Sequence, residues 1–186
     1  MNAELIKSFK DDLKTKKQIN FWRVSDKWGF LSNWYKQDLV IKNRTFKCAE
    51  QYMMWSKAVM MGDFETAGKI LSASDPKKMK ALGREVKNFN QVLWDEKKYE
   101  VVREAIIFKV KTKELKEILL SEEAKDFIKN GGTFAEASPF DKIWGIGMAE
   151  DDPDVYDQSK WKGQNLLGMA INDAITMACE NITNQK

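Results

Sequence analysis

Residues 49–61 read as a helix that is apolar on two sides, and this restricts the fold more than any other feature of the chain. At about 100° per residue, Cys48, Tyr52, Trp55 and Val59 fall in one narrow sector and predict a core stripe. Glu50 and Lys57, two helical turns apart, align on the opposite side. Around them stand Met53, Met54 and Met61, where a solvated face would carry Lys, Glu or Gln. An acid and a base set in a second apolar face cost free energy unless they are paired or put to use. The alternative is an exposed Glu–Lys pair beside tolerated methionines.

What the acid and base can do is narrowed by an absence: among 186 residues there is no histidine. That removes Ser-His-Asp and Cys-His catalysis, His-ligated zinc and any imidazole proton transfer. Cys48 and Cys179 stand too far apart in sequence to form a CxxC metal pair. Chemistry here falls to carboxylates, lysines, tyrosines or the backbone. With 31 basic and 28 acidic residues, interleaved along most of the chain, there is no concentrated basic stripe for a nucleic-acid polymer. A small anion remains compatible, since one phosphate needs only a cation or two nearby. The charged N-terminus lacks a signal-peptide apolar core, and no stretch approaches the ~20 apolar residues of a membrane span, so a cytoplasmic location with reduced thiols is expected.

The remaining pattern predicts one α+β domain, predominantly helical, with a few short strands. A polar helix is expected over 3–17, a strand at Ile19–Trp22, an aromatic Gly-punctuated loop at 28–35, and a hairpin through Leu39–Ile41 and Asn43–Phe46. Helices are expected near 63–71, 76–82, 93–111, 112–120, 122–129 and 165–181, with a strand at 133–137. In the long helix, Trp94, Val101, Ala105 and Phe108 share a face, so Trp94 has a purely structural reading. The segment from Gly131 to Gly147 holds Glu136, Asp141, Trp144, Gly145 and Gly147 in an irregular run, a composition common in functional loops. Backbone N–H groups of Trp144–Gly147 are candidates to hold a phosphate; a turn-rich connector is the bland alternative. Asn165 reads either as an N-cap or as a site residue.

Taken in order, several segments resemble the NADAR (YbiA-like) family. They are Phe21-Trp22, Gly29–Tyr35, Ala49-Glu50-Gln51-Tyr52 with Lys57, Leu82-Gly83-Arg84, Trp94, Glu136 with Asp141 and Trp144–Gly147, and Gly163–Gly168. The resemblance spans about residues 19–178 and leaves 1–18 as a helical arm before a domain at 19–186. It implies a compact YbiA-like fold that hydrolyses N-glycosidic bonds without metal or cofactor. Its substrates would be ribosylamino-pyrimidine phosphates of riboflavin synthesis, or ADP-ribosylated guanine in nucleic acid. By position it places catalytic roles on Glu50, Trp94, Asp141 and Lys57. Glu50 and Asp141 would share the general acid and base roles, while Lys57 would bind an anion, steady Glu50, or attack the anomeric carbon to form a Schiff base. Substrate contacts would come from Arg23, Phe30, Asn33, Arg84, Glu136, Trp144, Gly145, Gly147 and Asn165. Gln51 departs from the family, which often has His there. A non-catalytic ADP-ribose or nucleotide binder, and a single-strand nucleic-acid module, are the competing readings.

Overall fold

The computed structural model describes the backbone of residues 1–183 and side chains through 179; residues 184–186, the end of the expected domain, lie outside the described residues. The chain divides into two compact units, Met1–Ser32 with Val110–Lys186, and Asn33–Lys109. In sequence, the second unit is inserted between two strands of the first.

In the first unit, β1 (Gln18–Phe21) pairs in parallel with β4 (Thr133–Glu136), in the register Gln18↔Thr133 to Phe21↔Glu136. Helix α1 (Ala3–Thr15) buries Phe9 and Leu13 and packs on α7 (Glu122–Lys129) and α6 (Lys116–Leu119). Phe9 sits edge-on to Trp28 at 4.8 Å and to Phe30 at 5.0 Å, and Trp28 reaches Phe134 of β4 at 6.0 Å. Asp12 joins the helix to the same cluster, accepting from Trp28 Nε1 at 2.9 Å and pairing with Lys27 at 2.6 Å. Helix α8 (Leu166–Thr183) packs against β4 so closely that a Cβ on Gly168 would collide with the Phe134 carbonyl. The helix expected over 112–120 shortens to α6, because residues 112–115 form turns (Leu115 N–H to Thr112 O, 3.1 Å) that bury Leu115 beside Ile118 and Leu119. Burial of three large apolar side chains outweighs local helix propensity.

In the second unit, β2 (Leu39–Ile41) and β3 (Arg44–Phe46) form an antiparallel hairpin. Its turn residues Lys42 and Asn43 both have positive φ, the geometry that matches a hairpin's right-handed twist. Helices α2 (Ala49–Met60), α3 (Phe64–Ser72) and α4 (Pro76–Arg84) pack on one another. Asp63 caps α3 through the Thr66 N–H, and Asp75 caps α4, which has Pro76 in its first turn. Helix α5 (Gln91–Val110) follows.

Two expected core stripes are corrected. On α2 the buried residues are Ala49–Met54 and Ala58, while Trp55 and Val59 are only half-buried. On α5 the buried positions are Trp94, Val102, Ala105, Ile106, Lys109 and Val110; Val101 is half-buried and Phe108 is exposed. In both helices the tertiary partners rotate the buried face away from the most apolar stripe.

Gln51 is a structural tie. Its Nε2 donates to the carbonyls of Ile70, Leu71 and Ala73 at 2.9–3.1 Å, and its Oε1 accepts from the Lys47 N–H at 2.7 Å. One amide therefore satisfies the carbonyls that end α3. Gln51→Ala strands these buried groups, and should lower unfolding stability by about 2–4 kcal/mol, read from the urea midpoint.

Candidate active site

Glu50 lies in the first turn of α2 and is 2% exposed, which rules out the exposed-pair reading. Its N–H donates to the Asn33 carbonyl at 2.9 Å, so the aromatic loop ending at Asn33 supplies an acceptor for one of the helix's unpaired first-turn amides. The positive end of the helix dipole favours a carboxylate there. Asn33 is also buried, with its side-chain Oδ1 taking no hydrogen bond.

Lys57, two turns along the same helix, is half-buried. Its Nζ donates to the Gly83 carbonyl at 2.6 Å and sits over the rings of Phe89, at 4.3 Å, and Trp94, at 5.9 Å. Burial lowers its pKa below the ordinary lysine value; the charge of Arg84 pushes the same way, and Glu50 opposes both. Gly83 is held where a Cβ would strike Met54 Sδ, so the α4 backbone comes close to α2 and presents its carbonyl to Lys57. Glu50, Lys57, Gly83, Arg84, Phe89 and Trp94 thus form one constellation within the second unit. A partly dehydrated amine beside a buried carboxylate can bind an anion, assist proton transfer, or attack an electrophilic carbon.

The other expected site residues belong to the first unit. Asp141 is half-buried, and its Oδ1 accepts from the N–H groups of Ile143 (3.0 Å) and Trp144 (2.8 Å). The Ile146 N–H goes to the Glu136 carbonyl (2.9 Å) and the Gly147 N–H to the Asp141 carbonyl (3.1 Å). Three of the N–H groups expected to hold a phosphate are therefore spent inside the loop. Gly147, at φ 68°, and Gly145, packed on the Glu136 carbonyl, serve close backbone packing. Residues 142–146 run beside 162–167: Lys162, Gln164, Asn165 and Leu167 N–H donate to Ile146, Lys142, Gly145 and Trp144 carbonyls at 2.9–3.0 Å. Asn165 is buried, accepts from the Glu136 N–H (3.1 Å) and donates to the Phe134 carbonyl (2.8 Å), so its side chain locks the end of β4. Phe30 is in the aromatic core described above. Arg23 lies over Trp22 at 4.5 Å.

Two residues escape a sequence reading. Phe89 stands in an asparagine-flanked turn, and an exposed aromatic there is the signal that was present. Lys109 is 2% exposed, and burial lowers its pKa to about 7; its sequence signal is a lone lysine in the apolar run Ala105–Val110. From about pH 7 to 10 the unfolded chain holds the Lys109 proton that the folded chain has lost. Stability should therefore rise with pH by up to about 1.4 kcal/mol per unit in that window. Above pH 10, Tyr52 reverses the slope, since burial and its bond to Glu104 hold its pKa above the ordinary value. Urea midpoints across pH 6–10 check this rise, and Lys109→Met should flatten it. Among the described residues, no cluster of three or more Cys, Asp or Glu side chains suits a metal ion, and no helix is long and apolar enough to cross a membrane.

Fold and site together define a predominantly helical α+β protein with a buried acid and a caged lysine on one helix. Residues 20–175 match the family model of the NADAR domain, and the chain belongs to that family. It is 36% identical to Protein irg-1 of Caenorhabditis elegans over 146 residues, 77% of this chain but only 65% of that protein. It is 41% identical to N-glycosidase R617 of Acanthamoeba polyphaga mimivirus over 124 residues, 66% of this chain and 69% of the relative. N-glycosidase Npun_R5314 of Nostoc punctiforme is 28% identical over 69% of this chain and 79% of its own length. The NMR structure of the E. coli protein YbiA matches with a TM-score of 0.68 at 24% identity, covering 89% of this chain and 88% of that one, and shows a shared fold.

Proposed function

We propose that this chain is an N-glycosidase, with residues 19–186 as its catalytic domain, that hydrolyses the C1′–N bond between a ribose and a nitrogenous base. The observation that carries the reading is the Lys57 constellation: an amine of lowered pKa, held by the Gly83 carbonyl and two aromatic rings, on the same helix as a buried Glu50. Support also comes from two relatives that bear the name N-glycosidase. Cleavage needs an oxocarbenium-like sugar stabilised, water activated and the departing nitrogen protonated, for which two carboxyl groups in unlike environments suffice. Glu50 takes one of these tasks, Trp94 flanks the planar base or sugar, Arg84 meets a phosphate, and the buried Asn33 Oδ1 accepts from a ribose hydroxyl.

The substrates are a ribosylamino-pyrimidine phosphate or ADP-ribosylated guanine. Chromatographic assay for free base after incubation with each separately tests the reading. Base should appear from at least one; release from neither rejects the proposal.

A further inference from the structure

We infer that Phe89 is a positioning residue for Lys57: its ring shuts water away from the amine and so sets how readily that amine reacts. The ring stands 4.3 Å from Lys57 Nζ, closer than the Trp94 ring at 5.9 Å. Trp94 is 8% exposed, whereas Phe89 is 39% exposed, so Phe89 is the aromatic wall that meets solvent. The turn that carries it is held on both sides. The Lys87 N–H donates to Asp63 Oδ2 at 2.9 Å, and the Asn90 N–H to Met61 Sδ at 3.2 Å. Asn90 Oδ1 accepts from the Leu93 N–H at 3.1 Å, which anchors the same turn to the start of α5. Between these ties Asn88 takes φ 53°, a left-handed conformation that asparagine tolerates better than most residues. The ring is thereby fixed over the amine.

A ring beside an ammonium has two opposed effects. Its face attracts the cation, which favours the charged amine. Its bulk displaces the water that would hydrate the charge, which favours the neutral amine. Dehydration wins at Lys57, since burial is the largest influence on its pKa and lowers it. The charges acting on the amine are Arg84 of α4, which also lowers the pKa, and Glu50 of α2, which opposes both. The turn's own Lys87 is paired with Glu65 at 3.0 Å, and α5 faces the amine with the Trp94 ring. Removing the solvent-side wall should therefore restore water to Lys57 and return it towards an ordinary lysine.

The inference rests on the proposed hydrolysis only in giving the amine a use, and its test needs no turnover. Acetic anhydride in trace amount acylates only the neutral form of an amine. Labelling the full chain between about pH 7 and 11, with Lys57 acetylation read by peptide mass, gives the midpoint at which this amine loses its proton. Phe89→Ala should raise that midpoint by about one pH unit, and Phe89→Gln, which fills the space with a hydrated group, should raise it too. Phe89→Leu keeps an apolar cover without the ring face, so its midpoint should stay at or slightly below that of the wild type. An unchanged or lowered midpoint in both Phe89→Ala and Phe89→Gln overturns the inference. So does a rise in Phe89→Leu as large as in Phe89→Ala, because an apolar cover would then not be what excludes water. Each outcome holds whether or not base release is observed.

Discussion

Glu50→Gln should reduce base release by about a thousandfold or more while the protein stays folded. The substitution keeps the shape of a side chain that is 2% exposed and sits at the positive end of α2. It removes the charge that the proposed chemistry uses to activate water or to face the developing positive sugar, and a neutral amide does neither. A variant with wild-type melting and wild-type rate would remove Glu50 from the chemistry.

Lys57→Met should lower turnover about a hundredfold or more. Methionine keeps the apolar stem packed in place and deletes the ammonium that bonds the Gly83 carbonyl under Phe89 and Trp94. Lys57→Arg separates the roles of this cation. If Lys57 holds an anion, arginine retains much of the rate, since it also binds phosphate. If Lys57 forms the C1′–Nζ bond as the C1′–base bond breaks and the departing nitrogen takes a proton, arginine retains none. Borohydride then reduces the imine of the opened ribose, and intact mass shows the wild-type chain heavier by one sugar residue at Lys57. Turnover by Lys57→Met at the wild-type rate would exclude both roles.

The sequence makes α2 legible because helical periodicity places Glu50 and Lys57 on a methionine-lined face by geometry alone. It makes most helices legible too, since caps such as Asp63, Asp75 and Ser121 act locally. What it cannot give is set by distant partners. The parallel pairing of Gln18–Phe21 with Thr133–Glu136 depends on a connection containing the whole second unit. The burial of Lys109 depends on which side of α5 the unit covers, and the most apolar stripe there points elsewhere. Phe89 meets Lys57 across a turn with no periodic signal. In the Gly131–Gly147 run, composition suggests backbone donors open to a ligand, but Asp141 and the Glu136 carbonyl take the N–H groups of Trp144, Ile146 and Gly147.

The central claim is that Glu50 and Lys57 act on one reaction as a unit, and a double-mutant cycle tests it most directly. Both side chains belong to α2, and Glu50→Gln and Lys57→Met each keep the apolar stem while the charge is lost. Residues that act together lose their effect together, so the double variant should release base no more than about threefold more slowly than the slower single variant. Losses that multiply, or a Glu50→Gln enzyme at the wild-type rate, would contradict the account.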